Sequence, residues 1–123
     1  MAHPIKHILA VIPAALSVAM AAPALANDFP TVDRVLYVQE CMNAHPGNYY
    51  EMVNKCSCAL DALARELPFD DYTQMNTAAK ATSIGGERGS YIRDTEPLQA
   101  QIKRYREVQL KVQKGCFIGP GSR

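Results

Sequence analysis

The chain has 123 residues, a formal net charge of +1 at pH 7 and no tryptophan. That length sets the expectation of one domain, and the near-neutral balance gives no basic footprint for nucleic acid, so no nucleic-acid partner is expected. Four cysteines in so small a chain point to covalent help for a thin core.

The first segment reads as a signal peptide. Residues 1–26 carry Lys6 near the start, an apolar run over residues 8–22, and Ala24-Leu25-Ala26 as a small-x-small cleavage site before Asn27. The apolar run is shorter than the ~20 residues a bilayer span needs and contains Pro13. No second such run follows, so no membrane span is expected after processing. This leaves residues 27–123 as one domain, periplasmic or secreted, with an irregular tail from about residue 117. Its charge is split: residues 27–71 hold eight acids and three bases, and residues 72–123 hold four acids and nine bases. Such halves either attract each other within the fold or steer a charged partner.

Four helices are expected. The first covers residues 31–44, where Val32, Val35, Leu36, Gln39 and Met42 recur at helical spacing as a core stripe. His45-Pro46-Gly47-Asn48 ends it. The second covers residues 49–67 with Met52, Cys56, Ala59, Leu60, Leu63 and Leu67 on one face, and Pro68 stops it. The third starts with Asp70 as N-cap, runs through Tyr72, Met75, Ala79 and Thr82, and takes Gly85 as its C-terminal cap. The stretch at residues 85–93 then reads as a connection. The last helix begins near Thr95-Glu96-Pro97 and carries Leu98, Ile102, Tyr105, Gln109, Val112 and Cys116 along one stripe. No strand pattern and no repeat is present. The fold expected is all-α, a small four-helix bundle stapled by two disulfides.

The pairing of Cys41, Cys56, Cys58 and Cys116 is constrained by geometry. Residues two apart on a helix point about 200° apart, so Cys56 and Cys58 cannot converge on each other as a disulfide requires. Across the first hairpin Cys41 and Cys56 lie at similar heights, which favours Cys41–Cys56 with Cys58–Cys116. The alternative, Cys41–Cys58 with Cys56–Cys116, places two stripe cysteines together in the core. A redox role for Cys56 and Cys58 is a further reading, though reactive thiols favour helix N-termini or basic surroundings, and Lys55 is the only adjacent base.

Other chemistry is sparse. There is no CxxCH, GxSxG, HExxH, P-loop or EF-hand loop, so no cofactor and no enzymatic activity are expected. Asp61, Glu66, Asp70 and Asp71 are the only acidic cluster that a hard cation such as calcium would use, and their spacing matches no known loop. His45 stands alone in a turn, and Ser57, Ser83 and Ser90 have no visible partner. The best candidate site is the connection at residues 85–93. Its glycines, Gly86 among them, permit close backbone approach, and Arg88 and Arg93 offer planar forks to carboxylate or phosphate. Lys103, Arg104, Arg106 and Lys111 extend this basic character along the last helix. The plainer reading tucks Tyr91 and Ile92 into the core and pairs the arginines with the acidic first hairpin.

IGGERG followed by RD, then KRYREVQ and KGCF, together with the earlier KCSCALDAL, resembles small four-cysteine exported bacterial proteins associated with periplasmic quinoprotein (PQQ-type) alcohol oxidation systems. The resemblance covers about residues 32–118. It implies a periplasmic accessory or binding role beside an oxidoreductase, and it brings no catalytic residues with it. The reading at this point is a monomeric binding protein that docks a protein partner or an anionic ligand.

Overall fold

The computed structural model describes residues 27–120. The expected signal peptide, residues 1–26, lies outside the described residues. Five helices follow in order: α1 (Thr31–Ala44), α2 (Tyr49–Glu66), α3 (Phe69–Ala81), α4 (Gly86–Asp94) and α5 (Glu96–Gly115). No strand occurs among the described residues. α5 is the spine: α2, α3 and α4 all pack on it, and α1 packs chiefly on α2.

α2 forms as its pattern dictates. Asn48 caps it, its side chain accepting a hydrogen bond from the Glu51 amide at 3.2 Å. Its stripe supplies the centre of the core, where Cys56, Ala59, Leu60, Leu63 and Leu67 are buried. α5 faces this stripe with Tyr105 and Val112. Phe29, ahead of α1, closes one side of the core and packs its ring 5.2 Å from Phe69 and 4.9 Å from Tyr72.

Both preferred disulfides are present. Cys41 bridges to Cys56, and Cys58 bridges to Cys116, each with a Cα–Cα distance of 5.9 Å. The loops they close span 15 and 58 residues, which the chain-entropy picture credits with about 3 and about 4 kcal/mol. The second bridge ties the C-terminus to the first hairpin. The oppositely charged halves also meet, through Lys80 with Glu40 at 2.6 Å and Lys111 with Glu66.

Four local expectations are corrected. Asp70 does not cap α3; the helix starts at Phe69, whose amide donates to the Asp28 carboxylate at 2.9 Å, and Asp70 and Asp71 sit in its first turn. Gly85 does not close α3, which ends at Ala81; it precedes α4 instead. The stretch at residues 85–93 is no loop, because α4 occupies it, making a fifth helix. Most of the core stripe assigned to α1 also faces outward, with only Met42 of it packed against the core. Tyr37 and Cys41 are the buried residues of α1, whereas Val32, Val35 and Leu36 are exposed.

Candidate functional site

α4 is an unusual helix because its only buried residue is Gly89. Polar capping, more than apolar burial, holds it in place. The Arg93 guanidinium reaches back and donates through Nη1 to the carbonyls of Ile84 at 3.0 Å and Thr82 at 3.3 Å, just beyond the end of α3. The Thr95 hydroxyl donates to the Tyr91 carbonyl, and the Gln99 amide donates to the Ile92 carbonyl at 2.8 Å. Gly86 has φ +76°, a left-handed conformation that glycine adopts without penalty, and it turns the chain into α4. Gly89 lets the Ile84 carbonyl approach so closely that an added Cβ would lie 1.7 Å from its oxygen.

This packing opens a groove of about 920 Å³ between α3, α4 and the start of α5. Ala78 and Ala81 of α3, Tyr91 and Ile92 of α4, and Leu98 of α5 give it an apolar lining. Arg88 and Glu87 stand on the α4 wall. An adjoining recess of about 330 Å³ shares Gln74 and Gln101 with the groove and adds Asp71 and Arg104. An apolar trough with a few polar groups at its edge is the usual form of a binding site.

The candidate residues named from the sequence divide here. Arg88 lines the groove and Arg104 the recess beside it. Lys103 and Arg106 lie exposed on α5, Lys103 3.9 Å from Glu107. Arg93 is committed to capping, and neither Arg88 nor Arg93 pairs with the first hairpin among the described residues. Tyr91, expected in the core, is 68% exposed. The groove's other residues carried no strong signal, although Gln74, Ala78 and Ala81 recur at helical spacing on the side of α3 away from Tyr72 and Met75.

The acidic cluster is not assembled. Asp61 lies 3.9 Å from Arg34, Glu66 pairs with Lys111, and no group of three metal-ligating side chains converges among the described residues. Cys56 and Cys58 belong to different bridges, and no cysteine is free among the described residues. His45 lines a small recess with Tyr37, Glu40 and Tyr105 that contains no serine. The Ser83 and Ser90 hydroxyls donate to the Lys80 and Glu87 carbonyls.

A polar chain through the core went unseen in the sequence. Tyr37 donates to Gln109 at 2.9 Å, Gln109 to Tyr105 at 2.7 Å, Tyr105 to Asn76 at 3.1 Å, and Asn76 to Tyr72 at 3.4 Å. It links α1, α5 and α3. Burial pushes the Tyr105 phenol up to about 12 and raises Tyr37 and Tyr72 further, with neighbouring phenols adding to the effect. These groups stay protonated at ordinary pH, so the network is scaffold.

Among the described residues no helix is long and apolar enough to cross a membrane. No protein-family model matches the chain, and neither a curated protein nor a solved structure matches it at a significant level.

Proposed function

We propose that this is an exported, non-enzymatic docking protein of the periplasm, and that the α3–α4–α5 groove receives an amphipathic segment of a protein partner. The observation that carries this reading is the groove itself, an apolar trough with Arg88 on its wall and Arg104 in the adjoining recess. The apolar lining would take the partner's hydrophobic side chains, as grooves between helices do for amphipathic helices. Among the described residues Arg88, Arg104 and Arg106 form no ion pair, so they are left to meet acidic groups on the partner. The signal sequence and the two disulfides support an oxidising compartment. The resemblance to quinoprotein-associated proteins adds an oxidoreductase system as the partner's setting.

The test is site-specific photo-crosslinking in the producing cell with a photoreactive residue in place of Tyr91. One dominant adduct is expected, and it should weaken with Arg88→Ala plus Arg104→Ala and vanish with Ala81→Trp, which fills the groove. An adduct that survives Ala81→Trp in a folded protein, or no adduct at all, would sink the reading.

A further inference from the structure

The two disulfides differ in what they show to solvent. Cys41 and Cys56 are 8% and 0% exposed, so the bridge between them is sealed in the core. In the other bridge Cys116 is buried at 5%, but Cys58 is exposed on α2. The helix dictates this difference. Residues two apart point about 200° apart, so a Cys56 turned into the core leaves Cys58 turned out of it. In thiol–disulfide exchange a thiolate attacks one sulfur of the bridge, and access decides which one. Of the four cysteines only Cys58 is exposed.

The charges beside Cys58 suit that attack. Lys55 lies one turn before it on the same side of α2, and it lines a small recess with Phe117 and Ile118, the two residues after Cys116. A cation there draws in an anionic thiolate and favours Cys58 in its own thiolate form. Glu51 holds Lys55 at 2.5 Å and offsets part of this field. Asp61, one turn after Cys58, is turned to Arg34 of α1 at 3.9 Å. The fold also has the means to lose this bridge and keep its shape. Cys41–Cys56 still closes the first hairpin, and α5 still packs on α2 through Tyr105 and Val112. What the Cys58–Cys116 bridge fastens is the end of α5. Cys116 is its C-cap, and Phe117 follows in a left-handed conformation at 83% exposure.

We propose that Cys58–Cys116 is a redox switch, opened by a dithiol protein that attacks at Cys58. The attacking thiolate forms an S–S bond to Cys58 Sγ, the bond to Cys116 breaks, and Cys116 leaves with the electron pair and takes up a proton. The partner's second thiolate then attacks the partner sulfur of this mixed disulfide and releases Cys58. Two electrons pass from the partner, which ends as a disulfide, to this chain, which ends with two thiols. Opening frees the last turn of α5 and the residues after it, while the sealed bridge and the core stay intact. Because α5 remains on α2, the two sulfurs remain neighbours, and the same exchange run backwards by a disulfide oxidant closes the switch. None of the side chains lining the α3–α4–α5 groove takes part, so the switch stands whether or not that groove binds a partner.

Mass mapping under native conditions tests this. The disulfide-intact protein is held with reduced glutathione up to millimolar concentration, alkylated at early times and digested. Glutathione is expected on Cys58 and the alkyl group on Cys116, with Cys41 and Cys56 still joined. A reduced Cys-x-x-Cys dithiol protein in equal amount should leave Cys58 and Cys116 as thiols with no lasting adduct. The protein opened at this bridge should keep its helical circular dichroism spectrum. Its melting temperature should fall by about 15–30 °C, the shift that a closed loop of 58 residues implies in a domain of about 100. The proposal is overturned if Cys41–Cys56 opens first or together with the other bridge, if glutathione lands on Cys116, or if neither bridge reacts without denaturant. A bridge that glutathione opens and the dithiol protein leaves closed refutes the partner class. Loss of the helical spectrum on opening, or an unchanged melting temperature, refutes the switch.

Discussion

Replacing Gly89 with alanine separates the packing of α4 from its helix propensity. On propensity alone the change stabilises the protein, because glycine inside a helix costs about 1 kcal/mol relative to alanine. The structure reverses the sign. The new Cβ would sit 1.7 Å from the Ile84 oxygen and 2.7 Å from Arg93 Nη1. The first atom is backbone, so α4 must move away from the end of α3. Moving it breaks the Arg93 bonds to Ile84 and Thr82. Hydrogen bonds to a charged donor contribute about 1.5–3 kcal/mol each, with the lower value apt for a site open to water. Two such losses, less the propensity gain, leave a destabilisation of about 2 kcal/mol. In a domain of about 100 residues that lowers the melting temperature by about 8–16 °C. Urea unfolding followed by circular dichroism, without reductant, measures it. Arg93→Met loses the same two bonds without the propensity gain and should cost about 3 kcal/mol. A Gly89→Ala protein as stable as the parent, or more stable, would refute the argument that glycine is there for the Ile84 carbonyl.

Two further outcomes are expected. Phe117 is the residue after the C-cap of α5, with φ +57° and 83% exposure, while the Phe117 and Ile118 amides donate to the Lys114 and Gln113 carbonyls in the pattern usually closed by glycine. Phe117→Gly should therefore relieve left-handed strain and raise stability by about 1 kcal/mol; an unchanged or lower urea midpoint would show the ring to be held by contacts that its exposure conceals. Alkali should also destabilise the fold, because the buried phenols of Tyr37, Tyr72 and Tyr105 have raised pKa values and unfolded tyrosine ionises near 10. Their contribution is complete below pH 10 and is lost as the pH climbs towards and past 12, so the melting temperature should fall across that interval, less steeply in Tyr37→Phe; a flat profile to pH 11.5 contradicts it.

The sequence was most legible where apolar spacing and stop signals agreed. α2 begins and ends within a residue of its expected bounds, and its expected stripe is the centre of the core. α5 begins at Glu96 after Thr95, also as expected. α4 was illegible for a physical reason. Glycine, glutamate and arginine give it no apolar period, and what holds it in place lies outside it or at its far end: the carbonyls past α3, the Gln99 amide and the Arg93 fork. None of these follows from local pattern. The groove that α4 walls was hidden for the same reason. The groove adjoins the candidate region, but Arg93 serves the scaffold and the lining comes from α3 and α5 as much as from residues 85–93.

α1 teaches the opposite lesson, because the facts needed to orient it were already in the sequence. A bridge from Cys41 to Cys56 turns the Cys41 side of α1 towards α2. Tyr37, four residues earlier, shares that side. Val35 and Gln39 flank Tyr37 at two residues on either hand, each about 200° away, so the same bridge turns them outward. A core stripe through Val35 and Gln39 was therefore incompatible with the favoured cysteine pairing. Covalent geometry overrules apolar periodicity when the two compete, because a displaced valine forfeits only about 1.5–3 kcal/mol of burial, whereas diverging Cβ vectors forbid the bond outright.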